Sequence, residues 1–175
     1  MLEPDLNFIY KYFIAEKLES MLFLIFGIAA IMLAIVFLVF IKTNPFLFKG
    51  AAIPLLVIGL IQCTVGYTVY SRSGRQMRDV AYNIGMEPAS YINQQELPRM
   101  KVVMKNFVTY RWVEIALIIA GIILVFLFKS NPDRTFWYGL GMALAIQAAI
   151  MLCADYFAEK RGDVYITELQ NLVKG

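Results

Sequence analysis

The sequence predicts an all-α integral membrane protein with four transmembrane helices, arranged as two tandem helical hairpins. Three observations predict it. Four long apolar stretches run almost free of charge. The phrase Ile41-Lys42-Thr43-Asn44-Pro45 returns as Phe128-Lys129-Ser130-Asn131-Pro132, offset by 87 residues. Lysine and arginine fall mostly on one side of the topology these runs define. Charged residues make up 17% of the chain, against about a quarter in a soluble domain, and hydrophobic residues 60%.

The first run, residues 21–41, has no charged residue in 21 positions, and the second, 51–70, has none in 20. The third, 115–128, has none in 14, and Trp112 and Val113 extend it past Glu114 to 17 residues. The fourth, 136–154, has none in 19. A helix of roughly 17–25 mostly apolar residues crosses the hydrocarbon layer. Three runs qualify directly, and the third does so with Glu114 among the headgroups. Glu3, Asp5, Glu16 and Glu19 precede the first run. That run is too long for a signal-peptide core and has no small-residue cleavage pattern after it, so it reads as an uncleaved span.

Segments 1–20, 71–111 and 155–175 together hold twelve Lys and Arg. The two short loops opposite hold four, Lys42, Lys49, Lys129 and Arg134. The positive-inside rule then places both termini and the middle segment in the cytoplasm of a multi-pass inner-membrane protein. Trp112 marks the inner interface and Trp137 the outer one. The net charge of +3 follows from this bias and calls for no nucleic-acid partner.

At the outer turns, proline lacks a backbone donor and restrains the residue before it, and asparagine caps backbone groups through its side chain. Asn44-Pro45 and Asn131-Pro132 therefore read as helix stops. The repetition extends beyond the turns. Gln62 and Gln147 each lie inside the second span of a hairpin, and Glu19 and Glu114 each precede a first span. Residues 1–87 and 88–175 thus read as a duplicated hairpin, with the symmetry axis along the membrane normal.

Helices 1 and 3 are expected to outrun the membrane on the cytoplasmic side. Residues 8–20 carry apolar side chains at 8, 9, 12, 13 and 18, with Pro4 and Asp5 as a start and Asn7 as a cap. A helix over 8–41 is roughly 50 Å long at about 1.5 Å per residue, some 20 Å more than the hydrocarbon needs. The excess either forms a short bundle or bends onto the lipid. Residues 76–84 prolong the second helix, residues 88–91 form a short turn, and residues 94–96 lead to a stop at Pro98. The tail, 163–173, reads as an amphipathic helix lying on the inner face.

The chain has no histidine, which excludes bis-histidine haem, histidine relays, most zinc hydrolase sites and a Ser-His-Asp triad. Cys63 and Cys153 form no Cys-x-x-Cys motif, which excludes a quinone-coupled disulfide-forming enzyme; both read as small packing residues in equivalent helices. No phosphate-binding loop or calcium loop is present. No cofactor and no metal is expected. Gly59, Gly66, Gly139 and Ala143 are small residues suited to close helix contact.

Polar groups inside or beside spans are the candidate site. Gln62 and Gln147 sit near mid-span and are placed to bridge the two halves by mutual hydrogen bonding. Tyr67 and Tyr70 follow Gln62, and Asp155 lies on the face of Gln147 two turns on. Glu16, Glu19, Glu114 and Asp155 gather at the inner boundary, either as an ion-pair belt or as a vestibule for a proton or cation. The expected function is non-enzymatic, through contact with lipid and with a protein partner or a second copy: an accessory or assembly subunit, or an immunity protein against a membrane-acting toxin. The alternative is a small oligomeric transporter or channel for a proton, cation or small solute.

Overall fold

A computed structural model of the chain describes residues 6–174. The expected helix start at Pro4 and Asp5 lies outside them. Four helices follow in order: α1 (Asn7–Val39), α2 (Pro45–Met86), α3 (Pro88–Phe128) and α4 (Pro132–Lys174), each long and apolar enough to cross a membrane. At about 1.5 Å per residue, α1 is roughly 50 Å long and the others over 60 Å, against about 30 Å of hydrocarbon. The ends that carry the chain termini are called the terminal side, and the ends joined at the Asn-Pro turns the turn side.

Through the apolar half of the molecule, α1 packs along α2, α2 along α4, and α4 along α3. The outer members of this row are the least covered. The protein buries 11% of the most apolar window of α3 and 17% of that of α1, against 44% for α2. Glycines set the three contacts. A Cβ on Gly27 would lie 2.8 Å from the Gly59 carbonyl oxygen, and one on Gly59 would lie 3.0 Å from that of Gly27. Gly121 and Gly141 meet in the same reciprocal way at 2.7 Å between α3 and α4. Between α2 and α4, a Cβ on Gly50 would collide with the Phe136 carbonyl, and one on Gly139 with that of Leu47. Small residues at these positions let the backbones touch. Gly66 lies against Ser20 and Leu24 of α1 for the same reason. Ala143 joins Ala30, Ala34, Ala51, Ala52 and Leu55 in a buried cluster.

On the terminal side the row closes into a four-helix bundle. Its core takes Ile9, Tyr12 and Phe13 from α1, Val80, Ala81 and Ile84 from α2, Ile92 and Met100 from α3, and Tyr165 and Leu169 from α4. The projecting ends therefore form a bundle, and the expectation of a tail on the lipid surface is corrected. Residues 163–173 continue α4, and their apolar face is consumed by the other three helices.

Two further expectations change. Pro98 does not stop a helix. A π-helical turn over Ile92–Glu96 precedes it, with the Leu97 N–H bonded to the Ile92 carbonyl, and the wider turn accommodates a ring that supplies no donor. The Asn-Pro pairs begin helices rather than end them. α1 ends at Val39, and Pro45 is the first residue of α2, where a missing N–H is harmless and the fixed φ suits the helix. Asn44 takes a left-handed conformation, φ 49°, while Asn131 stays extended and its side chain accepts from the Asp133 N–H at 3.1 Å. The repeated phrase therefore makes two different turns. Cys63 packs at Gly27, but Cys153 is exposed on α4.

Candidate functional site

Polar groups gather at two levels on the terminal side. The first lies within the bundle. The π turn delivers Glu96 to the core, where 2% of it is exposed. Its carboxylate accepts from Arg99 Nε at 2.9 Å, from Arg99 Nη2 at 2.7 Å and from Tyr165 Oη at 2.8 Å. With its amide oxygen toward the guanidinium, Gln76 accepts from Arg99 Nη1 at 2.9 Å. The Tyr165 ring stacks on Tyr12 at 4.1 Å, and Tyr12 Oη reaches Met100 Sδ at 3.7 Å. One connected cluster thus spans all four helices. Both tyrosines lie outside the apolar runs. Burial, followed by the charge of Glu16, pushes the Tyr12 phenol up to about 12. Burial, followed by the charge of Glu96, raises that of Tyr165 further. Both remain donors across the neutral range.

The second level is the boundary where charge gives way to the apolar runs. Glu16, 8% exposed, accepts from Ser73 Oγ at 2.7 Å. Arg161 of α4 pairs with Glu19 of α1, joining the two halves of the chain, and its guanidinium lies 5.5 Å from the Tyr12 ring centroid. Arg111 of α3 pairs with Glu159 of α4. Glu114 is 2% exposed, and neither of its carboxyl oxygens meets a donor; it faces Asp155 instead. Glu19 and Glu114, paired by the repeat, therefore occupy unlike surroundings. One is bound to a guanidinium and the other confronts a second carboxyl.

The glutamines do not bridge the halves. Gln62 is fully buried with both amide atoms unpaired, and Gln147 is 5% exposed with an unpaired Nε2. The glycine contact between α2 and α4 explains the miss. Gln62 lies twelve residues beyond Gly50 and Gln147 eight beyond Gly139, a stagger of about 6 Å along two parallel helices. Gln147 instead lines an apolar groove of about 370 Å³ between α1, α2 and α4, with Ala30, Leu33, Leu55 and Ala143. Tyr67 points outward. Tyr70 is partly exposed, with the Lys17 ammonium 4.8 Å from its ring centroid. Neither joins the carboxyl groups.

The sequence gathers Glu16, Glu19, Glu114 and Asp155 at one boundary between charged and apolar segments. Sequence reasoning missed Ser73 and Glu159, and the whole Glu96–Arg99–Tyr165 cluster. The i, i+3 spacing of Glu96 and Arg99 was the available signal. Among the described residues, no group of three or more His, Cys, Asp or Glu side chains is placed to hold a metal ion. No family model, curated protein or solved structure matches this chain.

Proposed function

We propose that the protein is a non-enzymatic, multi-pass inner-membrane protein that acts through contact with another membrane protein or with a second copy of itself. Its two hairpins, 1–87 and 88–175, descend from one duplicated unit, and both termini face the cytoplasm, as the twelve-to-four distribution of Lys and Arg favours. One observation carries the reading. Tyr10, Ile14 and Leu18 form an exposed row at four-residue spacing on α1, 43%, 61% and 54% exposed. Ile14 precedes the first apolar run by seven residues, about 10 Å, so lipid tails do not cover it. Single exposed apolar residues are ordinary, whereas a row continuous with the lipid-facing side of a span suits a neighbouring helix.

The test is purification from native membranes in mild detergent, comparing the wild-type chain with Ile14→Asn/Leu18→Asn. A defined heteromer or homo-oligomer that dissociates in the double variant supports the reading. A monomer in both overturns it. Glu114, buried beside the half-buried Asp155 with no cation paired to it, favours a second reading, a small oligomeric transporter or channel for a proton or cation.

A further inference from the structure

An ionised carboxylate removed from water is costly unless a cation or several donors compensate it. Glu114 has neither. Its side chain lies between α3 and α4 with 2% exposure, and no donor reaches either oxygen. The arginines of α3 and α4 at this level are committed elsewhere, and Lys160 of α4 is exposed. On α3, Arg111 is paired to Glu159; on α4, Arg161 is paired to Glu19 of α1. On α2, Arg72 is exposed and Ser73 serves Glu16. The charges that bear on the pair are acidic: Asp155 on Glu114, and Glu159 on Asp155.

Two facing carboxylates repel, whereas a carboxyl and a carboxylate form a short, charge-assisted hydrogen bond. We propose that Glu114 and Asp155 form a proton-binding pair, with one proton held between the two carboxyl groups at the terminal-side boundary. The ligand is the proton itself. Asp155 is half-buried, and the next polar groups along α4 lead to water, because the Arg111 side chain beside Glu159 is 42% exposed. The proton therefore exchanges with the terminal-side solution. Glu114 is the enclosed member, and Asp155 is the member through which the proton enters and leaves. The inference rests on neither functional reading above, since a bound proton is compatible with docking as well as with transport.

Dicyclohexylcarbodiimide supplies the test, because it adds to protonated carboxyl groups reachable from an apolar phase. Full-length protein in lipid nanodiscs is treated across a pH series, and labelled residues are mapped by peptide mass spectrometry. Labelling at Glu114 or Asp155 is expected to be several-fold faster at neutral pH than at the exposed carboxylates Glu87 and Glu168, and to fall as pH rises. Glu114→Gln is expected to slow labelling of Asp155, and Asp155→Asn that of Glu114, each several-fold, with helix content unchanged by circular dichroism. Labelling of the pair no faster than Glu87 overturns the proposal in the unmutated protein, whatever the variants do. Undiminished labelling of the surviving carboxyl in a folded single variant also overturns it, since burial alone would then hold the proton.

Discussion

Tyr165 donates a 2.8 Å hydrogen bond to Glu96 across 69 residues of sequence, and that bond ties the end of α4 to the π turn of α3. Arg99 binds the same carboxylate through two nitrogens, with 26% of its side chain exposed. Removing one partner of a buried ion pair leaves the other uncompensated, at about 3–5 kcal/mol. Partial exposure of Arg99 puts Glu96→Ala near the low end, about 3 kcal/mol. Tyr165→Phe forfeits one bond to a charged acceptor, about 1.5–3 kcal/mol. Hydrogen exchange of the detergent-solubilised protein should show both losses on the terminal side of all four helices. A loss confined to the variant's own helix would contradict a shared cluster.

Alkaline pH should weaken the same bundle. The Tyr12 phenol is raised from 10 to about 12 in the folded protein, so the unfolded chain gives up its proton first. The stabilisation is complete below pH 10 and is lost as pH rises through about 12, roughly 2–3 kcal/mol in all from this residue. Chemical denaturation at stepped pH should show the decline. Tyr12→Phe should make it shallower over the same window, and an unchanged slope would contradict the buried phenol.

The glycines between α2 and α4 make a contrasting prediction. Gly50→Leu and Gly139→Leu place side chains into facing backbone carbonyls that no rotamer change relieves. Each should lower stability by more than about 3 kcal/mol, beyond the usual range for overpacking. Gly74 and Gly85 lie within α2, and a methyl group added at either would meet nothing within 4 Å. Gly74→Ala and Gly85→Ala should each raise stability by about 0.5–1 kcal/mol. Thermal unfolding of the four variants side by side reads both signs.

Much of this architecture was legible in the sequence. Four charge-free runs specified four helices; of the apolar positions 8, 9, 12, 13 and 18 in the α1 extension, 9, 12 and 13 are buried, 8 is half-buried and Leu18 is exposed. What escaped was tertiary. Pro98 reads as a stop because sequence gives no sign of the π turn that precedes it and holds the buried Glu96. Residues 163–173 look amphipathic whether their apolar face meets lipid or three helices. The paired glutamines suggested a bridge because the repeat aligns them in sequence, while the backbone contact of Gly50 and Gly139 decides their depth. Glu114 and Asp155 were placed at one level, but only packing shows that they face each other while Glu19 turns to Arg161.

The ion pair between Arg161 and Glu19 should contribute little by itself. The Glu19 side chain is 39% exposed, and such pairs are worth about 0–1 kcal/mol. A double-mutant cycle of Glu19→Gln and Arg161→Gln should return a coupling below about 1 kcal/mol that shrinks in high salt. A larger, salt-insensitive coupling would mean that the pair is sealed from water.

The exposed row on α1 is the centre of the functional account, and photo-crosslinking in intact native membranes tests it most directly. A benzophenone amino acid at position 14 or 18 should give a discrete protein–protein adduct, while the same probe at Gly85, in the open end of α2, should not. Adducts with lipid alone at 14 and 18, in protein that still folds, would contradict a protein contact there.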